Sequence, residues 1–131
     1  MSRTLPRILV IDDEAPVREN LVRFLHLEGY ETLEAGDGLA GVDIAVRSPP
    51  DLVLCDLSMP RLDGFGVLAR LRANATTASV PFVFLTASTD IEDARIGYLL
   101  GASEYVTKPF NLSVLAAIVA QRLRGRIVGE E

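Results

Sequence analysis

Short apolar runs alternate with amphipathic helical segments five times along the chain, and this alternation limits the fold more than any other feature. Three runs are apolar almost throughout, as expected for strands covered on both faces: RILVID (7–12), DLVLCD (51–56) and VPFVFLTA (80–87). YETLEA (30–35) alternates polar and apolar residues, which favours a strand nearer the sheet edge, and SEYVTK (103–108) completes the set. A segment with helical spacing follows each run, so the sequence predicts five βα units.

Five successive βα units indicate a parallel sheet with helices on both faces. Right-handed crossovers leave few ways to wind such a chain, and the flavodoxin-like strand order 2-1-3-4-5 is common at this size. The sequence therefore predicts the α/β class: a single doubly wound, flavodoxin-like domain with a five-stranded parallel sheet of order 2-1-3-4-5 and five helices. We expect this domain to span residues 1–124, and residues 125–131 to be a C-terminal tail or a truncated linker.

Composition restricts the classes of function. The net charge of −5 argues against a nucleic-acid-binding module, which usually presents a basic face. Cys55 is the single cysteine and lies in an apolar run, so the chain forms no internal disulfide and suits a reducing compartment. The apolar runs are too short to span a membrane, and the N-terminus MSRTLPR lacks a signal-peptide core. We therefore expect a cytoplasmic domain without membrane contact.

Polar residues follow the strands where a ligand site is expected. In an open α/β sheet, ligands bind beyond the carboxyl ends of the strands, at the switch point between neighbouring windings. Strand 1 ends in Asp12 and Asp13, and strand 3, its neighbour in this order, ends in Asp56. Strands 4 and 5 end in Thr86 and Lys108, and Lys108 is the only lysine in the chain. The predicted topology brings all five side chains to one place.

Each of these residues has an ordinary explanation on its own, as a helix cap, a strand-end hydroxyl or a surface charge. The cluster does not, because three neighbouring carboxylates repel one another unless protons or a cation offset them. A few hard oxygen ligands suit Mg²⁺, and a carboxylate beside Mg²⁺ can act as a nucleophile toward phosphorus. Phosphoryl transfer needs charge neutralisation, which a compact ammonium and a hydroxyl help to supply. The pattern thus favours phosphoryl chemistry on an aspartate.

The chain also resembles a known family, the receiver domain of bacterial two-component response regulators. The resemblance covers residues 7 to about 124, and its motifs occur in the family's order and spacing: VIDDE, LVLCDLSMPRLDG, FLTAS and YVTKPF. It implies that Asp56 is the phospho-acceptor. It also implies a Mg²⁺ site, with Mn²⁺ as an alternative, formed by Asp13, Asp56 and the backbone carbonyl of Ser58. Asp12 would contribute to that site through water.

The resemblance assigns roles to further positions. Lys108 would pair with the phosphoryl group, and Thr86 would donate its hydroxyl to it. Tyr105 matches the aromatic residue that turns inward in the active state, so Thr86 and Tyr105 are expected to form the switch. Ser58 and Ser88 lie two residues after the acceptor and after the switch threonine, at positions where the family tunes phosphoryl lifetime.

These roles describe a regulatory domain rather than an enzyme. The expected function is a phosphorylation-dependent switch in a phosphorelay, charged by a sensor histidine kinase or a histidine phosphotransfer domain. Helix 4, strand 5 and helix 5 would contact an output domain, a target protein or a second copy, without direct nucleic-acid contact. Tyr98, Leu99 and Leu100 of helix 4 are expected to be mostly core, with a partner surface as the alternative. The resemblance also implies a cis peptide bond before Pro109.

Other classes share parts of the pattern. GDGLAG (36–41) fits the dinucleotide fingerprint G-x-G-x-x-G, but it follows a polar strand and would leave the cluster at the carboxyl ends without a role. An aspartate-nucleophile phosphatase usually carries a second acid two residues after the nucleophile, where this chain has Ser58. A flavodoxin has a hydroxyl-rich phosphate loop after strand 1, where DDEAP would repel a phosphate monoester. A phosphorylation-independent interaction module is the alternative function.

Overall fold

The chain folds into a five-stranded parallel sheet in the order β2-β1-β3-β4-β5. This computed structural model describes the backbone of residues 5–130 and the side chains of residues 5–124. The elements, in chain order, are β1 (Arg7–Ile11), α1 (Ala15–Leu27), β2 (Glu31–Ala35), α2 (Gly38–Arg47), β3 (Leu52–Cys55), α3 (Gly64–Ala73), β4 (Phe82–Thr86), α4 (Ile91–Leu99), β5 (Glu104–Thr107) and α5 (Leu112–Glu130). The predicted class, strand order and number of helices are confirmed.

Successive side chains of the central strands point to opposite faces of the sheet, and each face is covered by its own helices. One face packs mainly against α2 and α3 and carries Leu9, Ile11, Val53, Cys55, Phe82 and Phe84. The other face packs against α1 and α5 and carries Ile8, Val10, Leu52, Leu54, Val83 and Leu85. Because both faces are covered, the three central strands are apolar at nearly every position, which is why their sequence showed no alternation.

The glycines of GDGLAG allow α2 to pack closely rather than to bind a nucleotide. A Cβ atom at Gly41 would lie 2.5 Å from Cδ1 of Ile11 in β1, and one at Gly38 would lie 2.5 Å from the carbonyl oxygen of Leu62. The side chain of Asp37 caps α2 by accepting a hydrogen bond from the backbone amide of Ala40 at 2.8 Å. The segment therefore serves helix capping and helix–sheet contact.

The expectation that Tyr98 and Leu99 belong to the core is wrong. Their exposed fractions are 49% and 72%, whereas Leu100 is partly buried and packs against the core. The helix α4, which lies wholly within the described residues, buries only Gly97. The physical reason is its position: α4 packs over β5 at the edge of the sheet, where the strand offers too little surface to cover a broad helical face.

The final helix is longer than its sequence pattern indicates. α5 runs from Leu112 to Glu130, so its backbone includes most of the stretch 125–131 that we expect to be a tail or a truncated linker. Residue 131 lies outside the described residues, and the domain boundary at residue 124 stays a prediction. Among residues 5–130, no helix has both the length and the apolar character needed to cross a bilayer.

Arg61, in the loop between β3 and α3, adopts the left-handed conformation with φ of 68°. This conformation costs a residue with a side chain roughly 1–2 kcal/mol, and the 3.6 Å ion pair with Asp37 is too exposed to offset it. Arg61→Gly is therefore expected to raise the free energy of unfolding by about 0.5–1 kcal/mol, after the extra chain entropy of glycine is subtracted. Urea denaturation measures this change.

Arg61→Ala is the matched control for that measurement, because it removes the ion pair and keeps the strained backbone. We expect it to be no more stable than the wild type. Equal stabilisation by Ala and Gly would show that the arginine side chain, rather than its backbone conformation, is the unfavourable feature.

Candidate functional site

A cleft of about 250 Å³ opens at the carboxyl ends of β1, β3, β4 and β5. The strand order explains its position, because β1 and β3 are neighbours whose following loops lead to helices on opposite faces. The residues that line it are Asp13, Glu14, Asp56, Ser58, Thr86, Ala87 and Lys108. Four of the five side chains that the sequence analysis expected to converge line this cleft, and the fifth, Asp12, lies beside it.

Three carboxylates meet at this cleft. One oxygen from each of Asp12, Asp13 and Asp56 lies within 4.8 Å of the other two. Asp12 and Asp56 are 2% and 7% exposed, whereas Asp13 is exposed. Backbone hydrogen bonds hold Asp12 and Asp56 just beyond the ends of their strands. Asp12 donates its amide hydrogen to the Ala35 carbonyl, and Asp56 donates its amide hydrogen to the Ile11 carbonyl. Two of the three negative charges are therefore fixed in a poorly hydrated place.

The chain's only lysine reaches both buried carboxylates. Nζ of Lys108 lies 3.3 Å from Oδ2 of Asp12 and 3.6 Å from Oδ2 of Asp56. The amide of Lys108 donates to the Thr86 carbonyl at 2.7 Å, and the peptide bond that follows, to Pro109, is cis. One ammonium therefore faces three carboxylates, so the site carries excess negative charge.

The pKa of Asp56 is raised above its usual value. Burial is the main cause, and the neighbouring charge of Asp12 adds to it. Lys108 and hydrogen bonds from the backbone of Leu57 and Ser58 oppose the rise without cancelling it. A further cation in the cleft would favour the ionised form of Asp56.

Thr86 presents a hydroxyl group to the cleft. The residue is 1% exposed, and its Oγ1 accepts a hydrogen bond from the backbone amide of Ser88 at 3.1 Å. Because that bond uses an acceptor lone pair, the hydroxyl proton is still free to be donated into the cleft. Ser58 also lines the cleft and is exposed.

Tyr105 connects the edge strand β5 with the loop that follows β4. Its hydroxyl donates to the carbonyl oxygen of Ser88 at 3.2 Å, and its ring centroid lies 5.8 Å from that of the buried Phe84. The ring also passes close to Gly97, where an added Cβ atom would lie 3.7 Å from it. Tyr105 is thus directed toward the interior. Its hydroxyl bonds to Ser88, which lies two residues after Thr86 in the sequence.

Sequence reasoning missed two side chains that support this region. Arg18 of α1 donates to the backbone carbonyl of Asp12 at 2.7 Å and also pairs with Glu34, so it holds the end of β1. Asp93 of α4 accepts a hydrogen bond from the Ser88 hydroxyl at 2.7 Å. No motif indicated either contact, although an acidic residue in the first turn of a helix was a visible feature of α4.

The fold and the cleft together define a flavodoxin-like α/β domain with an acidic site at its topological switch point. Comparison with known protein families then gives the particular family. The family model described as "Response regulator receiver domain" matches residues 8–120. The chain belongs to the response regulator receiver domain family, whose members are regulatory rather than catalytic domains of two-component systems.

Individual relatives agree with this assignment. The chain is 41% identical over 120 residues to the DNA-binding dual master transcriptional regulator RpaA of Synechocystis, covering 92% of this chain and 50% of the relative. It is 43% identical over 118 residues to the DNA-binding response regulator MtrA of Mycobacterium leprae, covering 90% and 51%. The chain thus spans about half the length of these curated relatives. A crystal structure of a response regulator from Chloroflexus aurantiacus matches with a TM-score of 0.87 and 31% identity, over 92% of this chain and 99% of that one.

Proposed function

We propose that this domain is a phosphorylation-dependent switch in which Asp56 accepts a phosphoryl group from a phosphohistidine. The donor would be a sensor histidine kinase or a histidine phosphotransfer domain. A carboxylate oxygen of Asp56 forms the new bond to phosphorus, the phosphorus–nitrogen bond breaks, and the imidazole leaves with its electron pair. The observation that carries the proposal is the convergence of three carboxylates within 4.8 Å of one another beside Lys108.

The carboxylates fit a small divalent cation, because they offer hard oxygen ligands and an excess of negative charge. We propose that Asp13, Asp56 and the backbone carbonyl of Ser58 hold Mg²⁺ or Mn²⁺, with Asp12 acting through water. The cation would supply positive charge to the oxygens of the transferred group. Asp12 and Asp56 share the single ammonium of Lys108, so this ion pairing leaves part of the negative charge of the two buried carboxylates unbalanced.

Lys108 and Thr86 would recognise the new phosphoryl group. Lys108 already lies 3.6 Å from Asp56, and Thr86 has a hydroxyl proton to donate. Each charge-assisted hydrogen bond is worth roughly 1.5–3 kcal/mol. Inverting a two-state population from 1:99 to 99:1 takes about 5.5 kcal/mol, so two or three such bonds suffice.

Tyr105 would transmit the change. In this structure its hydroxyl bonds to the Ser88 carbonyl, and we propose that phosphorylation stabilises this arrangement through Thr86. Ser58 and Ser88 would tune the lifetime of the phosphoryl group. The surface that responds would be the α4–β5–α5 face, which we define as the outward sides of these three elements.

The α4–β5–α5 face carries most of the large exposed apolar side chains of the described residues. They are Ile91, Tyr98 and Leu99 on α4, and Leu112 and Val114 on α5. The concentration of exposed apolar side chains on two of these elements supports a docking role. We propose that an output domain, a target protein or a second copy of this domain binds there.

A small acyl phosphate is expected to add one phosphoryl group to the protein, and only when a divalent cation is present. Removing Mg²⁺ with a chelator should abolish the gain, because the carboxylates would then repel the incoming anion. Intact mass measured with Mg²⁺, with chelator, and with chelator plus excess Mg²⁺ tests this prediction.

Restoration of the mass gain by excess Mg²⁺ is the control against damage by the chelator. No gain under any condition would contradict the proposed function and favour an interaction module that works without phosphorylation. A gain that persists with chelator would contradict the cation site alone.

A further inference from the structure

Ser88 is a junction between the parts of the proposed switch. Its backbone amide donates to Oγ1 of Thr86 at 3.1 Å, and its carbonyl accepts from the Tyr105 hydroxyl at 3.2 Å. Its own hydroxyl donates to Oδ2 of Asp93 at 2.7 Å and accepts from the Asp90 amide at 3.3 Å. Every polar group of Ser88 is therefore used, and its backbone joins the side-chain hydroxyl of Thr86 to that of Tyr105.

The side-chain bond to Asp93 fixes where that backbone lies. The loop between β4 and α4 is short, so a shift of Ser88 would move its amide and its carbonyl together. Asp93 lies in the first turn of α4, so its carboxylate ties the junction to that helix. A carboxylate acceptor forms a stronger hydrogen bond than a neutral group does.

We propose that Asp93 is a positioning residue of the switch, which holds Ser88 where it can join Thr86 to Tyr105. Asp93 does not line the cleft, so it would act through Ser88 and not on the phosphoryl group. This inference rests on the proposed function, and it adds a site of regulation: whatever breaks the Asp93–Ser88 bond weakens the coupling between Asp56 and the α4–β5–α5 face.

Asp93 could instead stabilise α4 simply as an acid near the helix N-terminus. Glu92 separates the two explanations, because it occupies the same turn and contacts Arg95 rather than Ser88. A general effect of charge on the helix would appear in both Asp93→Ala and Glu92→Ala. An effect on the Ser88 junction would appear only in the first.

Tyrosine fluorine NMR provides the readout, because the chain has only three tyrosines and no tryptophan. With 3-fluorotyrosine incorporated, Tyr98→Phe and Tyr30→Phe assign the remaining signals. The Tyr105 signal reports whether its ring is held at Ser88, and the Tyr30 signal reports that the fold is intact. The first measurement is made without Mg²⁺ or a phosphodonor.

Asp93→Ala is expected to lower the ratio of held to released Tyr105 by about tenfold or more, the change that loss of a charged hydrogen bond produces. Ser88→Ala removes the same bond together with the weaker one from the Asp90 amide, so it should lower the ratio at least as much. Adding Asp93→Ala to Ser88→Ala should change nothing further, because the bond that the two residues share is already lost. Asp93→Asn keeps an acceptor oxygen and should recover most of the wild-type signal. Glu92→Ala should leave the signal unchanged.

Additive effects of Asp93→Ala and Ser88→Ala, or a Tyr105 signal that neither changes, would overturn the inference. If Asp93→Ala loses the Tyr30 signal, Ser88→Ala tests the same bond by removing a single oxygen atom. The acyl phosphate is added afterwards. A wild-type protein that gains no phosphoryl group would defeat the proposed function and leave the Asp93 result standing. Normal phosphorylation with a Tyr105 signal insensitive to Asp93 would defeat only the inference.

Discussion

Replacing Asp56 with Asn is expected to abolish the uptake of a phosphoryl group from a small acyl phosphate. The amide lacks the anionic oxygen that attacks phosphorus, and it is a poor ligand for a divalent cation in place of a carboxylate. Asp13 cannot efficiently replace Asp56 as the acceptor, because its side chain is exposed and, of these two carboxylates, the one that Lys108 approaches is that of Asp56. Intact mass should show the full gain for the wild type and none for the variant.

Asp43→Asn is the matched control. Asp43 is an exposed acid on α2 that pairs with Arg47 and does not line the cleft. Its variant has the same change in net charge and should take up the phosphoryl group as the wild type does. Full uptake by the Asp56 variant would show that another residue is the acceptor.

The same Asp56→Asn substitution should raise the free energy of unfolding at neutral pH by about 1 kcal/mol, within the range that improved charge placement gives. Burial raises the pKa of Asp56, so the folded protein holds this proton more tightly than the unfolded chain does. The wild type therefore loses stability as pH rises from the ordinary carboxyl range, about 4, through the raised pKa. The stability gap between variant and wild type should widen over that window, and urea denaturation at its two ends measures it.

Replacing Lys108 with Arg is expected to weaken the response of Tyr105 to phosphorylation by at least about tenfold, the value of one charge-assisted hydrogen bond. The ammonium lies between Asp12 and Asp56, and a single nitrogen approaches both carboxylates. A guanidinium is planar and bulkier, so it cannot occupy that point without moving its neighbours. The measured quantity is the shift of the Tyr105 fluorine signal after exposure to the acyl phosphate.

Lys108→Gln, which removes the charge but keeps the length, provides the comparison. If the position requires a compact ammonium, the Arg and Gln variants should be similarly defective. A wild-type response from Lys108→Arg would mean that net charge alone is needed at this point. The chain's use of arginine for its other twelve basic residues makes the substitution a direct test of why this position differs.

The parts that the sequence predicted are those that depend on the order of elements. Runs of buried residues identified the central strands, and the strand order then brought Asp12, Asp56 and Lys108 together from positions up to 96 residues apart. The strand order alone places these residues at the same edge of the sheet, so their proximity could be predicted without knowing how the side chains pack.

The parts that the sequence did not predict depend on local geometry. Leu99 looks like a core residue, but its burial depends on how much of β5 lies beneath α4. The left-handed backbone of Arg61 is fixed by the closing of a loop, since arginine itself does not favour it. The junction at Ser88 consists of hydrogen bonds between common polar groups. Which groups pair is decided only by the folded conformation of the loop, so the sequence does not indicate it.

The contacts around β5 also limit how another molecule can approach this side of the protein. The backbone amide of Tyr105 is occupied by the hydroxyl of Tyr98, and the carbonyl of Ser103, just before the strand, is occupied by Arg122. An outermost strand with free backbone groups can recruit a strand from another chain, and here two of those groups are already engaged. Addition of a strand is thus obstructed at this edge of the sheet. A molecule that docks here meets the side chains of Tyr98 and Arg122 where free backbone groups would otherwise be available.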